Sequence, residues 1–171
     1  MKRNNNATYR IALSGLLVAM MLVLGWVESM IPLNAGIPGI KLGLSNGVLI
    51  FAVYMLGIPT SWVLMVLKVL LSGLLFGGVS AMMYAFAGGV LSLASMCLLS
   101  RTRGMQPIVV SMVGGVMHNV GQVGLAMIVL NTPKLVYYMA ILMLVGLACG
   151  GLTGVCASAV MKHMKVIGKH S

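Results

Sequence analysis

Between residues 11 and 161 the chain alternates long apolar stretches with brief polar or glycine-rich breaks, and no polar stripe recurs at the 3.6-residue helical period. Six stretches stand out as helices able to enter a bilayer: residues 11 to 30, 42 to 56, 61 to 76, 80 to 99, 108 to 130 and 135 to 161. A full crossing needs about 20 apolar residues. The second and third stretches are short, and "GIPTS" divides them: Gly57 can end one helix, and Pro59 with Thr60 or Ser61 can open the next. The pattern predicts an all-α membrane protein forming one transmembrane domain over residues 1 to 171, with six spanning helices.

Charge orients these helices. With the N-terminus in the cytoplasm, Lys2, Arg3, Arg10, Arg101, Arg103, Lys162, Lys165 and Lys169 fall inside, and only Lys41 and Lys134 fall outside. That split follows the positive-inside rule and places both termini in the cytoplasm. A single crossing over residues 42 to 76 would put the N-terminus and the Arg101 loop on opposite faces. The apolar run after Lys2 and Arg3 extends about 20 residues without a convincing cleavage site, so an uncleaved first helix is expected rather than a signal peptide.

Composition agrees. Hydrophobic residues make up 60% of the 171, charged residues 7%, and the mean hydropathy is +1.08, far outside the soluble range. The formal charge of +10 comes from clusters between apolar stretches, which fits membrane topology and not a nucleic-acid-binding face. Cys97, Cys149 and Cys156 lie inside helices without metal-ligand spacing and read as packing residues. Small residues recur every four positions at Gly146, Gly150, Gly154 and Ser158, at Gly73 and Gly77, and at Gly15 and Ala19, where helices can approach closely.

The polar residues inside the apolar stretches carry the candidate chemistry. In "GGVMHNVGQVG", residues 114 to 124, His118 and Asn119 fall at mid-membrane depth and Gln122 a turn farther out. His118 and Gln122 share a face, while Asn119 points about 100° away. Lys68 is central in its helix, where an ionisable group costs about 2.5 to 3.5 kcal/mol to insert. Glu28, Asn34, Lys41, Asn46 and Tyr84 lie toward the outer side. Two readings stay open: an outward-opening substrate pocket lined by these nine residues, or a hydrogen-bonded network that joins helices.

Catalysis finds little support. Glu28 is the only acid in the chain, so paired-carboxylate and acid-rich magnesium sites are excluded, and no phosphate-binding G-x-x-x-x-G-K-[ST] loop is present. No cofactor or metal is expected. Aromatics are 6% of residues, which argues against a site that sandwiches a large flat ring. Two lysines and a histidine would suit an anion.

Four ordered blocks, "PGIKLGLSNGVLIF" at 38 to 51, "LKVLLSGLLFGG" at 67 to 78, "YAFAGGVLSL" at 84 to 93 and "GGVMHNVGQ" at 114 to 122, resemble the bacterial membrane family called heptaprenyl diphosphate synthase component I, or Gx transporters. More distantly the chain resembles the S components of energy-coupling-factor vitamin transporters. Those are six-helix proteins that capture a small molecule and dock on a coupling subunit with two ATPase subunits. The resemblance implies the bacterial cytoplasmic membrane, a small-molecule substrate and such partners, with Gly15 and Ala19 in "GLLVA" matching the docking motif of the first helix. The function expected is substrate capture for uptake. The alternative is a non-catalytic membrane component of heptaprenyl diphosphate or quinone side-chain synthesis, and a structural assembly factor comes third.

Overall fold

The structure, a computed structural model, describes residues 7 to 30, 41 to 102 and 104 to 167, with side chains of the last helix described through residue 164. Its elements are α1 (Ala7–Met30), α2 (Leu44–Met55), α3 (Ile58–Ser72), a π-helical turn (Gly73–Gly77), α4 (Gly78–Ser100), α5 (Pro107–Val129), a 3-10 turn (Pro133–Leu135) and α6 (Val136–Ile167). The described residues hold helices and turns only, so the all-α expectation stands.

Local chemistry sets the boundaries. Gly57, with φ 93°, ends α2, and Pro59 enters the first turn of α3, as the "GIPTS" break implied. Pro107 opens α5, where its missing N–H would have had no helical partner. Between α3 and α4, Gly78 takes φ 72° and the chain folds back, so that Gly73 faces Met82 and Met65 faces Gly89. Gly73 and Gly77 thus belong to a hairpin turn rather than to a long packing face.

The expectation of six spanning helices is corrected. Among the described residues, four helical stretches are long and apolar enough to cross a membrane: Ala7–Met30, Ile58–Ser100, Pro107–Val129 and Pro133–Met164. The helix α2 has 12 residues, about 18 Å, and α3 has 15, about 22 Å, both short of ~30 Å of hydrocarbon. The stretch from Ile58 is not one straight rod, since α3 and α4 fold back on each other at the π-helical turn, and α4 with its 23 residues is long enough to cross by itself.

Burial explains why a short helix is tolerated. Residues 45 to 53 of α2 are all buried, and α2 touches every one of the other five helices. A helix apolar all round and enclosed by protein need not match the bilayer thickness. Around it, Leu49, Ile50, Met65, Leu93, Met96 and Val110 form the main core, and Tyr84, Val123, Ala126, Leu135 and Leu142 form a second cluster. The outer surface is itself apolar, with Ile11, Leu74, Ile128 and Leu144 more than two-thirds exposed, as a bilayer-facing surface requires.

Two contacts pin the ends of α2 to α1. Arg10 Nη2 donates to Leu56 O at 3.0 Å and to Thr60 Oγ1 at 3.1 Å, tying the start of α1 to the α2–α3 turn. At the other end Glu28 reaches the start of α2. Along α5 and α6 the small-residue spacing does what the sequence implied: Gly146 lies on Gly115, Gly150 on Ser111 and Met112, and Gly154 on Ile108.

Candidate functional site

The segment 41 to 46, "KLGLSN", is the hub of the polar residues. Gly43, with φ 88°, precedes α2 and offers no side-chain cap, so the first amides of α2 need an acceptor from elsewhere. Glu28 supplies it. One carboxylate oxygen accepts the Leu44 N–H, and the other lies 3.4 Å from the Ser45 hydroxyl. A carboxylate at a helix N-terminus is doubly favoured, by the hydrogen bond and by the helix dipole.

One turn into α2, Asn46 Oδ1 accepts a hydrogen bond from Lys68 Nζ at 3.0 Å. Lys68 is only 4% exposed and Asn46 1%, so both are inside the protein. Glu28 is near enough to act electrostatically on Lys68, but the direct partner of the ammonium is Asn46.

Gln122 latches the beginning of the segment. Its Oε1 accepts the Lys41 N–H at 2.9 Å, and its amide nitrogen meets His118 Nε2. Since a backbone N–H can only donate, the Lys41 contact fixes the orientation of the Gln122 amide and turns its nitrogen toward His118. The other ring nitrogen, Nδ1, lies against Gly88. The ring is wedged between Gly43 and Gly88. A Cβ at Gly43 would meet His118 Cδ2 at 2.7 Å, and one at Gly88 would meet Nδ1 at 2.6 Å. The Lys41 ammonium lies 4.7 Å from the centre of the Phe76 ring. Burial pushes it below the ordinary lysine range, and the Glu28 carboxylate opposes that shift.

Glu28, Lys41, Asn46, Lys68, His118 and Gln122 are thus brought together from α1, α2, α3, α5 and the segment before α2. Asn119 is not with them. Its Nδ2 donates to Leu142 O of α6 at 2.5 Å, beside Gly146, so it joins two helices on the far face of α5, as the 100° offset foretold. Tyr84 is buried in the second apolar cluster and makes none of the bonds that join the six residues. Asn34 lies outside the described residues. Gly15 and Ala19 are exposed on α1, and among the described residues nothing comes within 4 Å of a Cβ placed at Gly15. A groove of about 370 Å³ lined by Ala7, Arg10, Ile11, Ser14 and Thr60 is at the opposite end of α1 from Glu28 and includes none of the polar cluster.

Sequence reasoning missed Gly43, Ser45, Phe76 and Gly88. The positive φ of Gly43 and the contacts of Gly88 are tertiary facts, and no periodicity announces them. The one available signal was proximity in the chain: Gly43 and Ser45 stand between Lys41 and Asn46, both of which drew attention as polar groups.

A search of curated proteins and of solved structures returned no significant match. Residues 17–160 match the family model described as heptaprenyl diphosphate synthase component I, so the chain, with its polar cluster folded around the segment before α2, belongs to that family.

Proposed function

We propose that the chain is a non-catalytic, small-molecule-binding membrane component of heptaprenyl diphosphate synthesis. The observation that carries this reading is the state of Glu28: the only acid in the sequence has its carboxylate engaged at the start of α2. Prenyl elongation uses magnesium held by several carboxylates, and this chain cannot supply them. A family described as component I implies a second component, and the chemistry falls to that partner. The buried cluster on Lys68 and Asn46 is the place where this component would hold a small molecule.

One observation favours a second reading, substrate capture for a coupling subunit with ATPase subunits. Gly15 and Ala19 make a small, uncovered face on α1, where a partner helix can come close. Copurification separates the two. The tagged chain should bring down the catalytic synthase subunit from its own membranes, and should still do so after Gly15→Leu with Ala19→Leu. Recovery of a coupling subunit instead, lost in the double variant, would transfer the assignment to uptake.

Both readings share an orientation, with N- and C-termini in the cytoplasm. The charge split supports it, and an even number of crossings suffices whether the α2–α3 hairpin passes fully through or only dips in. Single cysteines in a cysteine-free background, tested in intact cells, should be labelled from outside beside Lys134 and protected beside Arg101 and Lys162. Labelling at all three positions would defeat this orientation.

A further inference from the structure

The hydrogen-bond inventory around α2 is lopsided. The acceptors are in use: Glu28 at Leu44 and Ser45, Gln122 Oε1 at the Lys41 N–H, and Asn46 Oδ1 at Lys68. The donors are not. Asn46 Nδ2 is buried with no partner among the described residues, and its direction is fixed because Lys68, which can only donate, holds the oxygen of the same amide. The Lys68 ammonium has three N–H donors, and Asn46 Oδ1 accepts one of them. Both side chains are more than nine-tenths buried, where an unpaired donor is costly. The local charge has the same sign, with Lys41 and Lys68 facing the single carboxylate of Glu28, and the N-terminus of α2 adds a positive dipole end.

We propose that Lys68 Nζ and Asn46 Nδ2, at the first turn of α2, form the seat of an oxyanion, the carboxylate or phosphate group of a small molecule. The chemistry that completes this site is an acceptor with negative charge. A metal ion or a cationic ligand would add donors or positive charge where both are already in excess, and an apolar ring would leave the Asn46 amide unpaired. Glu28 acts as a positioning residue: by capping α2 it holds the first turn, and with it the Asn46 amide, in place. Gln122 does the same for the backbone at Lys41. The inference rests on the reading of the cluster as a small-molecule site.

The test uses the purified full chain in detergent, with inorganic phosphate, inorganic diphosphate and acetate as probes and binding measured by calorimetry and by thermal shift. At least one oxyanion should bind the wild type and raise its melting temperature. Asn46→Asp keeps an oxygen for Lys68 but replaces the free donors with negative charge, so affinity should fall by about tenfold or more, as for the loss of a hydrogen bond to a charged group. Lys68→Met should abolish binding, and Lys68→Arg, which keeps the charge, should retain part of it. If Asn46→Asp does not fold, the Lys68 pair decides. Competition by phosphatidylglycerol would assign the seat to a lipid headgroup, and competition by soluble diphosphate alone to a free ligand. An Asn46→Asp variant that binds like the wild type, or a wild type that binds none of the anions, overturns the proposal. Association with the synthase subunit is read in parallel. If it persists without anion binding, only the seat fails; if anions bind without association, only the synthesis role fails.

Discussion

Glu28→Ala should lower the stability of the folded protein by about 3 kcal/mol, seen as a marked fall in melting temperature in detergent. Three losses combine. The Leu44 N–H and the Ser45 hydroxyl lose their acceptor inside the protein, at about 1 to 3 kcal/mol for a buried group left unpaired. The N-terminus of α2 loses the side-chain acceptor that caps it, since Gly43 contributes no side chain. Lys68 and Lys41 lose the one negative charge in their neighbourhood, and breaking a buried charge arrangement from one side typically costs about 3 to 5 kcal/mol. These terms overlap, so the expected total stays near the lower of the two ranges. Glu28→Gln keeps an oxygen for Leu44 and should lose less than half as much. An alanine variant that melts with the wild type would mean that Glu28 holds nothing in place.

A leucine at position 150 should be at least as damaging. A Cβ there would lie 2.5 Å from Ser111 O and 2.9 Å from Met112 Cα, both backbone atoms that cannot swing aside. Helix α5 would have to move away from α6 along the whole seam, which also carries the Gly115–Gly146 contact and the Asn119 bond to Leu142. Overpacking of this kind costs about 3 kcal/mol or more where the neighbour is rigid. The adjacent residue is the control. A Cβ at Gly151 meets only the Met112 side chain, at 3.6 Å, so Gly151→Leu should leave the folded yield and the melting temperature near wild type. Equal loss in both variants would show that general bulk, and not the close backbone contact, decides the outcome.

Much of this architecture is legible in the sequence because apolar length and glycine spacing are local signals. The "GIPTS" break, the proline that opens α5 and the Gly146, Gly150, Gly154 seam all follow from residue chemistry that acts within a few positions. The separation of Asn119 from His118 and Gln122 also follows from helical geometry alone. What could not be read is which distant backbone each polar side chain meets. Glu28 could be placed only toward the outer side, because nothing near it in the chain shows that α2 begins without a side-chain cap. Lys68 stood out as a costly central charge with no partner visible in its own helix, and the fold supplies Asn46 from the first turn of α2. The spanning count erred for a related reason. Hydropathy measures whether a segment prefers an apolar medium, and α2 finds that medium in the protein interior.

That interior position has a consequence for how the chain enters the membrane. A segment of 12 residues is too short to be held by the lipid when it leaves the translocation channel. It gains a stable place only after α1 is present to clasp it, through Arg10 at one end and Glu28 at the other, and is fully enclosed only when α3, α4, α5 and α6 have closed around it. Insertion of this protein is therefore not a series of independent helix transfers. The centre of the molecule is assembled last, from a helix emitted second, and until synthesis reaches α6 the polar segment before α2 has no finished surroundings.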